Sequence, residues 1–190
     1  MPINMEDGAP PADACRKSEA CGRPEEASGR PEEACDEYAV YRAAEAGDVA
    51  VLEALCARTG GREQAWSWAR ACWHATQAGR LDALRWCEAR SDIEYDDVAR
   101  WALADVAACA GHADVLVYCL ERAIAAGHAL PMTALARSAA RFGHLSALDG
   151  CARAALDACV RIDWRSVMQV ARGADVVATV AARVRDVHAP

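Results

Sequence analysis

The sequence predicts an all-α protein, an α-solenoid of stacked antiparallel helix pairs. Four similar stretches recur along the chain, and each has a glycine between two segments of helical periodicity. The structural repeat glycines are Gly47, Gly79, Gly111 and Gly143. They are evenly spaced, since 79 − 47, 111 − 79 and 143 − 111 are equal. A constant period of this size is typical of repeat proteins, in which a helix pair buries its apolar face by stacking against the next pair.

The four units share one internal pattern. Two small residues precede the glycine by four and three positions, which lets a second helix approach closely. The glycine ends the first helix, because it enters left-handed conformations without a Cβ penalty. A leucine follows five positions later and another apolar residue eight positions later, on one face of a second helix. These residues are Leu52, Leu84, Leu116 and Leu148, followed by Leu55, Cys87, Cys119 and Cys151.

This pattern resembles the ankyrin repeat, a unit of about 33 residues that contains a turn and two helices. The A-A-x-x-G-H portion is well kept in Ala107–His112 and Ala139–His144, whereas the T-P-L-H start of the family is poorly kept. The stretch Gly79–Glu88, GRLDALRWCE, is similar to divergent ankyrin repeats of giant DNA viruses of amoebae. The resemblance extends from Tyr38 to Arg185 and implies an ankyrin-like solenoid.

The repeat domain is predicted over residues 38–190. Asp96 and Asp97 are good N-cap and first-turn residues for the third unit. Pro131 suits the first helical position of the fourth unit, and Asp163 is a plausible N-cap in the last one. That last unit lacks the A-A-x-x-G-H signature, as terminal repeats often do. The predicted units are 38–61, 62–93, 94–127 and 128–160, with a C-terminal cap at 161–187.

Residues 1–37 are predicted to form a disordered, acidic, low-complexity tail. The hexapeptide GRPEEA occurs there twice, and proline, glycine and paired glutamates provide little to bury. Ten acidic and four basic residues give this segment a net charge of −6. Residues 38–190 contain eighteen acidic and seventeen basic residues, which gives a net charge of −1. The near-neutral repeat domain lacks the basic excess of a nucleic-acid-binding protein. No secretory signal and no apolar run of about 18 residues is found, so no membrane association is expected.

Catalysis, cofactors and metal ions are not expected. Five of the ten cysteines fall on repeat positions predicted to be buried, and no C-x-x-C pair occurs, which favours reduced thiols in a cytoplasmic compartment. His112 and His144 directly follow repeat glycines, where ankyrin repeats commonly carry a structural histidine. No phosphate-binding glycine loop, G-x-S-x-G or H-E-x-x-H motif is present.

A protein-binding surface is predicted on the first helices of the units and on the loops that precede them, which line the concave face of an ankyrin-like stack. The residue two positions before each glycine should point outward, because those three and four positions before it point inward. Tryptophan and arginine are enriched in binding hot spots. The alternative is that some tryptophans pack between the units, as large aromatic residues usually do. The predicted binding residues are Trp66, Trp68, Gln77, Trp101, Arg141 and Phe142.

The sequence therefore predicts a non-catalytic scaffold for protein–protein interaction. If the viral resemblance reflects the origin of the chain, the partner is a host protein in the host cytoplasm. The alternative is a structural component that self-associates, as a homo-oligomer or in a virion. The oligomeric state and the identity of the partner are left open.

Overall fold

The computed structural model describes residues 31–59, 68–90 and 97–186 of the chain. All regular secondary structure in these ranges is α-helical, which confirms the predicted all-α class. The helices are α1 (Pro31–Ala46), α2 (Val49–Thr59), α3 (Trp68–Gln77), α4 (Leu81–Glu88), α5 (Asp97–Ala110), α6 (Ala113–Ala125), α7 (Met132–Phe142), α8 (Leu145–Asp157), α9 (Trp164–Met168) and α10 (Ala174–Asp186).

Neighbouring helix pairs contact each other through equivalent helices. The odd-numbered helices pack in sequence, α1 on α3, α3 on α5, α5 on α7 and α7 on α9. On the other side of the pairs, α2 packs on α4 and α6 packs on α8. None of the described helices is both long and apolar enough to span a membrane.

Each glycine turn closes its first helix in the same way. The four repeat glycines have φ values between 70° and 81°, in the left-handed region. The amide of the following residue donates to the carbonyl five residues before it, as from His112 to Ala107 at 3.0 Å and from His144 to Ala139 at 2.9 Å. This bond satisfies a carbonyl that the helix end leaves without an intrahelical partner. The predicted glycine turns are therefore confirmed.

The core includes four positions that recur in the first helices and two that recur in the second helices. In α7, the positions eight, seven, four and three before Gly143 are all fully buried. Small side chains at the last two of these positions let neighbouring helices approach closely. The leucine five positions after the glycine is fully buried in all four units, as predicted. The residues at these four positions of α7 are Leu135, Ala136, Ala139 and Ala140, and Met132 is buried at the start of the same helix.

The first helix extends beyond its predicted start. It begins at Pro31 and so includes residues 31–37, which the sequence assigns to the tail. Proline is favoured at the first helical position because its φ is already suitable and no amide hydrogen is needed there. The hydroxyl of Tyr41 donates to the carboxylate of Glu37 one turn earlier. Helix α1 therefore includes the last residues of the predicted tail, and the rest of that segment, residues 1–30, lies outside the described residues.

Helix starts agree closely with the sequence prediction elsewhere. The Oδ1 atom of Asp163 accepts hydrogen bonds from the amides of Arg165 and Ser166, both at 3.2 Å, which confirms the predicted N-cap of α9. Helix α5 begins at Asp97, and Asp96 lies outside the described residues. Pro131 takes the N-cap position of α7 rather than the first helical position.

Helix α8 ends at a residue with an unfavourable backbone conformation. Cys159 has φ 54°, whereas its equivalent in the preceding unit is Gly127, with φ 77°. Each of them is followed by a residue whose amide donates to the carbonyl five residues earlier. This bond joins Val160 to Ala155 at 2.8 Å and His128 to Ala123 at 3.0 Å. A side chain with a Cβ is strained in the left-handed region.

Replacing Cys159 with glycine should therefore stabilise the chain by about 1 kcal/mol relative to Cys159→Ala. Alanine is the matched control, because it removes the thiol but keeps the Cβ. Urea unfolding followed by circular dichroism would measure the difference. Equal midpoints for the two variants would show that the conformation of Cys159 is not strained.

Candidate functional site

The outward positions of the stacked first helices form one continuous surface, which we call the odd-helix face. They lie ten, six and two residues before each repeat glycine, so within one helix they are four residues apart and share a side. Because α1, α3, α5 and α7 pack in sequence, these positions form adjacent rows. The rows are Glu37, Tyr41 and Glu45; Ala69, Trp73 and Gln77; Trp101, Asp105 and Cys109; and Thr133, Arg137 and Arg141. Tyr41 is the exception among them, because its side chain is only 5% exposed and belongs to the core.

Two large aromatic side chains are exposed in the middle of this face. Trp73 on α3 is 41% exposed, and Trp101 on the adjacent helix α5 is 39% exposed. Trp101 lies ten residues before its glycine and Trp73 six residues before its own, an offset of about 6 Å along the helix axes. The exposed tryptophans therefore lie on neighbouring helices, about one turn apart.

The predicted binding residues do not lie together. Some are on the odd-helix face, one is at the glycine end of α7, and one is outside the described residues. Trp101, Gln77 and Arg141 are exposed on the odd-helix face. Phe142 is 56% exposed at the glycine end of α7, with the Arg141 guanidinium carbon 5.9 Å from its ring centroid. Since Trp101 lies at the opposite end of α5, Phe142 and Trp101 do not form a single cluster. Trp66 lies outside the described residues.

The prediction that Trp68 belongs to the binding surface is wrong. Its side chain is only 6% exposed and packs edge-on against Trp86 of α4, with ring centroids 5.8 Å apart. Trp68 lies four residues before Cys72, and both face the core on the inner side of α3. Trp73, which is not among the predicted binding residues, lies on the opposite side of the same helix. Its position four residues before Gln77 is the sequence signal that indicates this.

Contacts between units hold the odd-helix face together. The rings of Tyr41 and His74 stack, with centroids 5.3 Å apart and planes at 20°. Two helices further on, the hydroxyl of Ser138 donates to Asp105 at 2.7 Å. Each contact joins the first helix of one unit to the first helix of the next.

A second set of contacts joins successive glycine turns. Nε2 of His112 lies 3.1 Å from the carbonyl oxygen of Gln77, and Nε2 of His144 lies 3.0 Å from that of Cys109. Because a carbonyl oxygen only accepts hydrogen bonds, Nε2 is the donor in both cases. Arg80 makes the equivalent contact in the second unit, from Nε to the carbonyl of Glu45 at 3.3 Å. These bonds give both histidines a structural role and fix the register of the outward positions.

Four of the thiols have raised pKa values, whereas catalytic cysteines have lowered ones. A hydrogen bond with the Cys72 thiol, together with burial, raises the pKa of Cys87 far above its ordinary value. Burial raises the pKa of Cys119 and of Cys151 to about 12, and it also raises the pKa of Cys109. A cysteine nucleophile requires a lowered pKa, because the thiolate is the reactive form. These four thiols therefore stay protonated at neutral pH.

A polar cluster on the other side of the helix pairs offers little room for a substrate. The Tyr118 hydroxyl donates to Glu88 at 2.5 Å, and Nε of Arg122 lies 3.9 Å from the same carboxylate. Burial and the bond to Glu88 raise the pKa of Tyr118. The adjoining cavity has a volume of about 20 Å³, enough for about one water molecule. Within the described residues, no group of three or more His, Cys, Asp or Glu side chains is placed to hold a metal ion.

No model of a known protein family, no curated protein and no solved structure matches the chain. Its function is therefore inferred from the geometry of the odd-helix face.

Proposed function

We propose that the chain is a non-catalytic scaffold that binds a partner protein through the odd-helix face. In this proposal the helix pairs form an ankyrin-like α-solenoid, and the odd-helix face is its concave side. The observation that carries the proposal is the exposure of Trp73 and Trp101 on adjacent helices, at 41% and 39%. If the likeness to repeats of giant viruses reflects origin, the partner is a host protein in the host cytoplasm.

The composition of the face supports binding to a protein surface. Tryptophan and arginine dominate binding hot spots, because each combines a large contact area with polar groups that orient the partner. Arg137 and Arg141 are exposed on α7, next to the row that carries Trp101. Two half-exposed tryptophans flanked by arginines therefore provide an aromatic centre and a charged rim.

The stacking contacts favour affinity by limiting motion. Ordering side chains and loops on association costs free energy, so a surface that is already ordered binds more tightly. The Tyr41–His74 and Ser138–Asp105 contacts fix the first helices relative to one another. The histidine bonds do the same at the turns.

Removing both tryptophans should abolish partner binding. We expect Trp73→Ala/Trp101→Ala to lose the partner that the unaltered chain captures in a reducing pull-down from cytoplasmic lysate. With the purified partner, each single substitution should weaken the affinity at least about ten-fold, as truncation of a hot-spot residue does. Circular dichroism would establish that the helices are retained.

The matched control is Val177→Ala, which removes apolar surface of similar exposure, 39%, on α10 rather than on the odd-helix face. It should bind the partner normally. A partner that both variants retain would place the binding site elsewhere and contradict the proposal for this face.

Self-association is the second candidate function. The first unit carries exposed apolar residues, Tyr38 at 64% and Val51 at 43%, which a second copy of the chain would cover. In that case the molecular mass of the protein in reducing buffer rises with protein concentration. The Tyr38→Ser/Val51→Ser variant should have a lower molecular mass at the same concentration. A concentration-independent monomer would exclude this candidate.

A further inference from the structure

An apolar groove lies at the end of the described chain and meets the odd-helix face at one of its wall residues, Thr133. We call it the C-terminal groove. It consists of two adjoining cavities of about 410 and 450 Å³, which share Arg161, Ile162 and Trp164 in their walls. Both volumes lie within the range of about 300–1,000 Å³ that is typical of ligand pockets. The apolar walls comprise Ala152, Ala155, Leu156, Val160, Ile162 and Trp164.

The groove exists because the last unit departs from the repeat pattern. Leu120 and Ile124 of α6 are buried and partly buried, but their equivalents one repeat later are Ala152 and Leu156. Alanine at position 152 leaves space, and Leu156 is 73% exposed. Helix α10 packs mainly against the short helix α9, whereas α8 packs closely against α6. The end of α8 is therefore left uncovered.

The charge at the groove is positive, although the whole chain carries −7. Its walls contain Arg161, Arg165 and Arg183, with Asp163 as the acidic residue. Asp163 caps α9 with its carboxylate, and Asp149 pairs with Arg183, so three arginines face two aspartates and the local net charge is still positive. A groove with this charge is complementary to an acidic ligand.

Arg183 is held in place at the wall of the groove. Its Nη2 atom lies 2.8 Å from Asp149, and its guanidinium carbon lies 5.1 Å from the ring centroid of Trp164. Asp149 uses only one side of the planar guanidinium group, and 31% of the Arg183 side chain remains exposed. Among the described residues, Nε of Arg183 is a buried atom without a hydrogen-bond acceptor. A further carboxylate can therefore reach this group only through its exposed part, and not through the buried Nε atom.

We propose that the C-terminal groove is a second binding site, which takes an extended acidic segment of a partner protein. Two apolar side chains of that segment occupy the cavities on either side of Trp164 and Ile162. Carboxylates of the segment pair with Arg161 and with the exposed part of Arg183. The site is independent of the tryptophans on the odd-helix face.

Selection of a random displayed peptide library on the full-length chain in reducing buffer would test this proposal. We expect the enriched peptides to combine Asp or Glu with Leu, Ile or Phe. Synthetic copies should bind about ten-fold more weakly to Leu156→Ser and to Arg161→Glu, and more weakly as salt is raised. Because Leu156 is exposed, its substitution leaves the core intact. Trp73→Ala/Trp101→Ala should bind the same peptides unchanged, which separates this site from the proposed scaffold surface.

Several results would overturn the proposal. One is a selection that enriches only the peptides that an unrelated helical protein also enriches. Another is enrichment of basic peptides. Equal binding to the unaltered chain and to both groove variants would place the peptides elsewhere. If peptides bind only after residues 187–190 are deleted, the chain's own C-terminus occupies the groove. If Leu156→Ser instead dissociates a dimer, the occupant is a second copy of the chain.

Discussion

Alanine in place of Gly111 should destabilise the chain by about 3 kcal/mol. This is more than the same substitution should cost at a left-handed glycine without a close neighbour. Gly111 has φ 81°, a conformation that strains any residue with a Cβ. A Cβ built there would also lie 2.5 Å from Nδ1 of His144. That distance is too short for a non-bonded contact, so the His144 ring would have to move and would lose its bond to the Cys109 carbonyl.

Gly127→Ala is the matched control for this prediction. Gly127 has φ 77°, but no atom lies within 4 Å of the position that its Cβ would occupy. Its substitution should cost about 1 kcal/mol, from backbone strain alone. Urea-unfolding midpoints, measured by circular dichroism and by tryptophan fluorescence, would compare the two variants.

A double substitution tests whether His144 causes the additional loss. His144→Ala removes the hydrogen bond, which costs about 1 kcal/mol, but it also removes the ring that the new Cβ would meet. Gly111→Ala/His144→Ala should therefore be less unstable than the sum of the two single changes. Additive losses, or equal losses for Gly111→Ala and Gly127→Ala, would show that the histidine does not restrict this position.

The repeat glycines illustrate how far the sequence predicts this fold. Their even spacing and the leucines that follow predict the left-handed turns and the buried positions, because glycine and leucine each have one physical role in such a pattern. The contact between His144 and the carbonyl of Cys109 joins residues 35 positions apart. It depends on how one unit stacks on the next, which local periodicity does not specify.

The candidate site is predictable only in part, and the tryptophans show why. Trp68 and Trp73 are five residues apart on one helix, so they project from opposite sides of it. Its distance from the glycine assigns Trp68 to the loop and the early part of the first helix, where a side chain is expected to be exposed. Trp73 lies four residues, or about one helical turn, before the outward position of Gln77, so it is predicted to be exposed instead. The helical period contains the same information for Trp68, which lies two turns before the inward position of Ala75.

The C-terminal groove could not be predicted from the sequence. Leu156 falls at the position of Ile124 in the preceding unit, and by the repeat pattern it should be partly buried. Its exposure of 73% depends on the short helix α9 and on the packing of α10, which is mainly against α9 and leaves the last turn of α8 open. Both are properties of the last unit, where the A-A-x-x-G-H signature is lost.

Leu148→Ala should cost about 3 kcal/mol of stability, whereas Leu156→Ala should change it by no more than about 0.5 kcal/mol. The two leucines lie on the same helix, α8, and undergo the same chemical change. Leu148 is fully buried and belongs to the core, so its truncation removes packing and leaves a cavity. Leu156 is 73% exposed and has little packing to lose.

Urea unfolding of the two variants would therefore measure how completely α8 is covered along its length. A large loss for Leu148→Ala and almost none for Leu156→Ala is expected if the stack buries α8 as far as Ala155 and leaves the residues after it open. Equal losses would mean that another segment of the chain covers Leu156 in solution. The C-terminal groove would then be closed, and a partner could bind there only by displacing that segment.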